Sequence, residues 1–273
     1  QLVHWPEYFV QPLVRAGYRV IRFDNRDIGL SQYFPQFGRP SAPWAGLMLA
    51  LGRELDTPYT LGDMAADALG VLDALGIERA HIVGASMGGM IAQRVALAAP
   101  ERAATLVSIM STSGARGLPR PDSHVVRSML ARPRGGTREA LIRYYVELYR
   151  TIGGPSYDQP EGDLRAAIEA SVNRAQNPDG MLRQLRAIMA DTRRAQALAG
   201  VRAPTLVLHG REDPLVPLNC GADTARRIPE SRYVVIERMG HALPPSASGQ
   251  VLAEMLPFLH THRIGAAAPA VAA

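Results

Sequence analysis

The fold is decided by the stretch Gly84-Ala85-Ser86-Met87-Gly88-Gly89, which directly follows the apolar run Ala80-His81-Ile82-Val83. A short apolar run that ends at glycine predicts a buried strand, and the Ala-, Leu- and Ile-rich residues Met90–Ala99 predict a helix. A serine between a strand and a helix, with glycine two positions before and two after it, is typical of a nucleophile elbow. The turn is so tight that we expect only hydrogen-sized side chains to fit around it. Ser86 is therefore a candidate covalent nucleophile.

The composition is compatible with one globular α/β unit, or with a core that carries an inserted subdomain. The chain has 273 residues, of which 47% are hydrophobic and 20% are charged. No apolar stretch approaches the roughly 20 residues that a membrane span needs, so we expect no membrane association. The single cysteine, Cys220, excludes an intrachain disulfide, and we expect a cytoplasmic protein.

The positive charge of the chain does not by itself predict a nucleic-acid partner. All 30 basic residues are arginine and the net charge is +5. Apart from a short cluster at Arg132, Arg134 and Arg138 the arginines are scattered, and no aromatic residues are interleaved with them. Scattered charge is typical of a solvated surface, so we expect no nucleic-acid binding. The absence of lysine and the high alanine content indicate a GC-rich bacterial genome rather than a function.

Strands alternate with helices over most of the chain, which predicts a mostly parallel sheet flanked by helices. A first helix begins near Pro6 and stops at Gly17, and a capping box formed by Thr60 and Asp63 opens the next one. The other predicted elements are strands at Tyr18–Phe23, Ala104–Met110, Thr205–Leu208 and Tyr233–Ile236 and a last helix at Ser248–His260.

Strand patterns disappear between residues 113 and 199, where three helical stretches are joined by Gly/Pro-rich links. We therefore expect a discontinuous core at 1–112 and 200–261, a helical insertion at 113–199 and a disordered tail at 262–273. Several large side chains of the insertion could line an apolar pocket, but their helical spacing favours packing. These are Tyr144, Tyr145, Tyr149, Met181 and Met189.

A serine nucleophile needs a base within hydrogen-bond reach, and the base needs a carboxylate that orients it. His241 lies in a loop after a predicted strand and completes the chain order serine, acid, histidine. His81 and His209 fall within or at the end of strands, where a structural role is expected. His241 is therefore the candidate base.

The candidate acid is Asp213. The strand that ends near Met110 is followed by no carboxylate, whereas the one that ends near Leu208 is followed by Glu212-Asp213-Pro214. Asp213 is preferred over Glu212 because Pro214 fixes the turn after it, although a purely loop-capping aspartate remains an alternative.

These motifs, with Phe23–Ser31 and His209–Pro217, resemble the α/β-hydrolase superfamily over nearly the whole chain. Within it, the chain is similar to the aclacinomycin-methylesterase-like carboxylic ester hydrolases of bacteria. The resemblance implies an α/β-hydrolase fold with a helical cap over the pocket, which matches the insertion. It also implies that Asp24 and Arg26 are structural and hold their loop near the site.

The sequence departs from the family at its start. The family has further strands before the helix at Pro6, and the last of them ends in a glycine-containing loop that supplies half of the oxyanion hole. We expect that absent strand to lie between Tyr18–Phe23 and the nucleophile strand. One oxyanion donor is then predicted, the backbone N–H of Met87. We therefore expect the natural gene product to be longer, or this chain to turn over slowly.

The predicted function is hydrolysis of a small carboxylic ester through an acyl-enzyme, with Ser86 as nucleophile, His241 as base and Asp213 as orienting acid. No metal or organic cofactor is expected, and the oligomeric state is left open. The same triad can serve acyl transfer, perhydrolysis, lactone opening, C–C bond hydrolysis or peptide hydrolysis. A member that binds a ligand without turnover is the alternative outside enzymes, because part of the oxyanion hole is absent.

The sequence generates one direct prediction about the missing donor. A chain extended upstream by a strand and a glycine-containing loop should hydrolyse esters about a hundredfold faster than this chain, since one oxyanion donor contributes about that factor. The measurement compares turnover and thermal stability of the two chains side by side. Equal stability and equal turnover would contradict the prediction.

Overall fold

The computed structural model describes residues 1–41, 53, 55–131 and 136–264. Within these residues the sheet has the strands Ala80–Ala85 (β1), Ala103–Ile109 (β2), Thr205–Gly210 (β3) and Arg232–Ile236 (β4). All neighbours pair in parallel in the order β1-β2-β3-β4. The predicted parallel sheet is confirmed, and its parallel pairing places the carboxyl ends of all these strands at one edge.

Helices precede, separate and follow these strands, and the capping box at Thr60 and Asp63 is present. None of the described helices is both long and apolar enough to cross a bilayer. Residues 265–273 of the predicted tail, and Arg132 and Arg134 of the arginine cluster, lie outside the described residues. The α-helices are Glu7–Arg15 (α1), Leu61–Ala74 (α2), Met87–Ala98 (α3), Ser123–Leu130 (α4), Arg138–Gly153 (α5), Glu161–Arg174 (α6), Pro178–Ala190 (α7), Arg194–Ala197 (α8), Leu218–Arg227 (α9) and Pro245–Thr261 (α10).

Apolar side chains of the central strands are buried on both faces of the sheet. Val107 belongs to one cluster with Phe9 of α1 and Met255 of α10. Its neighbour Leu106 belongs to another cluster, with Ala92 of α3. Because successive side chains of a strand point to opposite faces, this division shows helices packed on both sides. Each fully buried apolar side chain of this size contributes about 1.5–3 kcal/mol.

The predicted strand at Tyr18–Phe23 does not form, and this prediction was wrong. The segment has no ladder with β1, which is the edge strand of the described sheet. A cavity of about 1070 Å³ is lined by Val20 and Ile21 of this segment and by Ile82 and Val83 of β1. An extended segment becomes a strand only when a neighbour pairs with its backbone, and none of the described residues supplies that neighbour here.

The loop after this segment is held by charged side chains, as predicted for Asp24 and Arg26. Asp24 accepts hydrogen bonds from the backbone N–H groups of Leu2 at 2.7 Å and Leu30 at 2.9 Å. Arg26 donates to both carboxylate oxygens of Asp67, at 2.6 and 2.7 Å. The structural roles of both residues are confirmed.

The same loop contains a buried ion pair that the sequence did not indicate. The Arg183 guanidinium of α7 donates to both oxygens of Asp27 at 2.7 and 2.8 Å, and both side chains are at most 2% exposed. The Tyr59 hydroxyl and the Phe34 N–H also donate to this carboxylate, each at 2.9 Å. The pair ties α7 of the insertion to the loop that follows Phe23.

The environment of Asp27 makes this contact depend on pH. Burial alone would raise the pKa of Asp27, but the hydrogen bonds from Arg183, Phe34 and Tyr59 hold it below its ordinary value. A carboxyl whose pKa is lower in the folded than in the unfolded chain stabilises the fold above its unfolded pKa. That contribution is lost as the pH falls through the folded pKa.

Breaking the buried pair should cost far more than breaking an exposed one. Arg183→Met removes the main partner of a buried carboxylate, so we expect the free energy of unfolding to fall by about 3–5 kcal/mol. Arg232→Met is the matched control, because Arg232 pairs with Glu254 while 52% of its side chain is exposed. Its loss should be below about 1 kcal/mol. Chemical denaturation of both variants measures the difference, and equal losses would contradict the assignment.

Candidate active site

Ser86 occupies a strained turn between β1 and α3. Its φ is 53°, in a region that non-glycine residues rarely adopt, and such a conformation persists only where its surroundings hold it. The Ser86 N–H donates to the carbonyl of Ile109 in β2 at 2.9 Å. The Ser86 carbonyl accepts the Ser111 hydroxyl at 2.8 Å. Hydrogen bonds therefore hold both the backbone N–H and the backbone carbonyl of Ser86, and both partners lie at or just after the end of β2.

The glycines around Ser86 differ in how much space a side chain would have at each position. A Cβ on Gly84 would lie 2.0 Å from the carbonyl oxygen of Gly88, and one on Gly89 would lie 2.6 Å from the Ser111 Cβ. A Cβ on Gly88 would meet no heavy atom within 4 Å. The expectation that both pattern glycines are required by space is wrong for Gly88. Gly84 and Gly89 are the positions where the close packing of the turn excludes a side chain.

Three loops at the carboxyl edge of the sheet bring Ser86, His241 and Asp213 together. The His241 Nε2 lies 2.8 Å from the Ser86 Oγ, and its Nδ1 lies 2.7 Å from the Asp213 Oδ2. Both His241 and Asp213 are 6% exposed. With the Nδ1 proton donated to Asp213, Nε2 is left to accept the proton of the serine hydroxyl. The arrangement can generate a serine nucleophile.

Asp213 is oriented by its own loop. Its Oδ1 accepts the backbone N–H groups of Leu215 at 3.0 Å and Val216 at 2.7 Å, which leaves Oδ2 for His241. Glu212 points elsewhere, and both of its carboxylate oxygens accept hydrogen bonds from Ser156. The neighbouring carboxylates therefore have different partners.

His209, for which the sequence predicted a structural role, lies beside the acid and contacts its loop at Val216. It is fully buried at the end of β3, and its Nε2 lies 2.7 Å from the Val216 carbonyl oxygen and 3.6 Å from the Asp213 Oδ2. Burial lowers the pKa of His209, which favours the neutral ring. A neutral ring donates from Nε2 to Val216, while Nδ1 has no partner among the described residues.

Met87 supplies the first backbone N–H of α3, directly after the nucleophile. The first N–H groups of a helix have no intrahelical acceptor, and the helix dipole favours negative charge there. An oxyanion formed at a carbonyl attacked by Ser86 would lie near this end of α3. Met87 can therefore donate one backbone hydrogen bond to such an oxyanion.

The cavity of about 1070 Å³ reaches Ser86 and His241 and has mostly apolar walls. Trp5, Tyr149 and Ile152 are among the residues that line it. Tyr149, expected to be a packing residue, therefore also faces the cavity, and burial raises its pKa to about 12. The described residues contain no group of three His, Cys, Asp or Glu side chains that could hold a metal ion.

Comparison with known proteins places these features in a wider group. A family model described as the alpha/beta hydrolase fold matches residues 2–246. Rhodomycin D methylesterase DauP from Streptomyces sp. (strain C5) is 32% identical over 258 residues, covering 88% of this chain and 80% of that protein. Rhodomycin D methylesterase DnrP from Streptomyces peucetius is 32% identical over 259 residues, with the same coverage of 88% and 80%.

A solved structure shows the same fold. The thermophilic esterase from Thermogutta terrifontis superposes with a TM-score of 0.68 at 24% sequence identity. The match covers 96% of this chain and 86% of the esterase chain.

The two pattern glycines of the Ser86 turn should respond differently to a methyl group. Gly84→Ala places Cβ against a backbone carbonyl and should lower the free energy of unfolding by at least about 1–3 kcal/mol. Gly88→Ala is a change at a helical position where the added Cβ meets open space. It should leave the free energy of unfolding unchanged or raise it by up to about 1 kcal/mol, because alanine favours the helix more than glycine does. Thermal and chemical unfolding check both variants. If Gly84→Ala is as stable as the parent chain, the packing described for the turn is incorrect.

Proposed function

The chain belongs to the α/β-hydrolase fold family and is a hydrolase that acts on ester bonds, and we propose that it does so by nucleophilic catalysis at Ser86. The observation that carries the proposal is the unbroken line of hydrogen bonds from Ser86 Oγ through His241 to Asp213, at 2.8 and 2.7 Å. The methylesterase relatives favour a carboxylic ester with a small alcohol as the substrate.

In the first half of the reaction, the Ser86 oxygen attacks the ester carbonyl while His241 Nε2 takes the hydroxyl proton. The carboxylate of Asp213 stabilises the imidazolium and holds its ring in place. The Met87 N–H donates to the oxyanion of the tetrahedral intermediate. When the intermediate collapses, the bond to the alcohol oxygen breaks, and His241 returns its proton to that leaving oxygen. The product is an acyl-enzyme on Ser86.

In the second half, water replaces the alcohol. His241 removes a proton from the water as its oxygen attacks the acyl carbonyl, and the second tetrahedral intermediate collapses with return of the proton to Ser86. The acid is released and the enzyme is restored without a redox change. Another nucleophile in place of water, such as an alcohol or a peroxide, would give acyl transfer or perhydrolysis on the same acyl-enzyme.

The helices between β2 and β3 form the proposed cap, at residues 113–199, over a core at 1–112 and 200–261. Support comes from α5, which carries Tyr149 and Ile152 to the wall of the cavity that contains Ser86. The substrate in this proposal is a small molecule with an apolar acyl or alcohol group that suits those walls. The cytoplasm is the proposed compartment, because Cys220 is the only cysteine.

Removal of the nucleophile tests the proposal. Ser86→Ala should lower the rate of p-nitrophenyl acetate hydrolysis by several orders of magnitude, since neither His241 nor Asp213 can replace the attacking oxygen and only the residual rate from substrate binding and the oxyanion donor is left. Ser123→Ala, at an exposed position of α4, is the matched control and should keep the parent rate. Full activity of Ser86→Ala would refute the role of Ser86.

A further inference from the structure

The end of α5 contacts both loops that present the acid and the base. We call residues 152–156 the α5 turn. They comprise the last two residues of α5, a third residue, Gly154, with a φ of 82°, and then Pro155 and Ser156. The turn approaches the loop after β3 at Glu212 and the loop after β4 at Gly240 and His241.

Glu212 joins the α5 turn to the loop of the acid. Its Oε2 accepts the Ser156 N–H and its Oε1 accepts the Ser156 hydroxyl, both at 3.0 Å. The Glu212 N–H donates in turn to the Met239 carbonyl at 2.9 Å, in the loop of the base. Hydrogen bonds to an ionised carboxylate are about twice as strong as neutral ones. The residue before Asp213 is thus held from two sides.

The loop of the base is held by backbone contacts. The His241 N–H donates to the carbonyl of Ile152 at 2.7 Å. A Cβ on Gly240 would lie 2.1 Å from the Gly153 carbonyl oxygen, and one on Gly154 would lie 2.8 Å from the Glu212 carbonyl oxygen. Because Gly240 and Gly154 have no Cβ, the backbone of the α5 turn can lie in direct contact with the backbones of both loops. Such contacts have little freedom to slide.

We propose that the α5 turn is a clamp that sets the distance between the acid and the base, and that Glu212 is a positioning residue acting through Asp213. The inference rests on the proposed function. The hydrogen bond between His241 and Asp213 joins two separate loops, and the α5 turn is bound to each of them. Tyr149 and Ile152 line the cavity from the same helix, so a substrate that packs on α5 contacts the element that holds the triad.

The test compares four single variants and the Glu212→Ala/Ser156→Ala double variant by steady-state hydrolysis of p-nitrophenyl acetate and by the rate of inactivation with a fluorophosphonate. Glu212→Ala removes both acceptors, and Glu212→Gln keeps one oxygen for the Ser156 hydroxyl. Ser156→Ala removes the hydroxyl donor. Glu237→Ala is the matched control, because Glu237 pairs with Arg211 between the same two loops while 58% of its side chain is exposed.

We expect Glu212→Ala to lower kcat and the inactivation rate by about ten- to a hundredfold, the range that follows when a catalytic group shifts by up to about 1 Å. KM should stay within about twofold, because Glu212 is not among the residues that line the cavity. Glu212→Gln should recover part of the loss, and Glu237→Ala should match the parent chain. Ser156→Ala should add nothing in the Glu212→Ala background, because the Ser156 hydroxyl has already lost its carboxylate acceptor there.

Failure of this proposal differs from failure of the proposed function. If the parent chain is not inactivated at Ser86, the proposed function fails. If the parent chain is inactivated but Glu212→Ala reacts at the parent rate, or if Glu237→Ala loses as much as Glu212→Ala, the clamp is refuted. Should Glu212→Ala melt below the assay temperature, Glu212→Gln decides, because an unchanged kcat in that variant would equally overturn the proposal.

Discussion

Parallel pairing of the strands is the constraint on which the rest of the site depends. Ser86, Asp213 and His241 are far apart in the chain and share no secondary-structure element. They meet because β1, β3 and β4 run in the same direction and end at the same edge of one sheet. Each residue then needs only a short loop to reach the others. Loss of register in any of these strands would separate the hydrogen-bonded atoms by more than a hydrogen bond can span.

The sequence predicted the sheet and identified Ser86, Asp213 and His241 as candidates because the patterns that indicate them are local. A strand that ends at glycine, a serine turn, a carboxylate before proline and a histidine after glycine can each be recognised within a few residues. The same reasoning failed at Tyr18–Phe23. Its apolar pattern is that of a strand, but strand formation depends on a partner backbone, which a local pattern does not reveal.

Local sequence patterns also could not predict contacts between residues that are distant in the chain. Asp27 and Arg183 form the buried ion pair from 156 positions apart, and nothing around either residue indicates its partner. The sequence favours Asp213 over Glu212 for the acid, but it does not show which way the Glu212 carboxylate faces or that Ser156 binds it. A Cβ has room at Gly88, which lines the cavity beside β1, and the turn motif alone does not reveal that room.

The central claim is that Ser86 is a working nucleophile, and mapping a covalent adduct tests it most directly. The chain is treated with a fluorophosphonate, digested and analysed by mass spectrometry while residual esterase activity is followed. The account predicts one adduct per chain, on the peptide that contains Ser86, formed in proportion to the loss of activity. Binding of the probe without an adduct, or loss of activity with the adduct on another peptide, would contradict it.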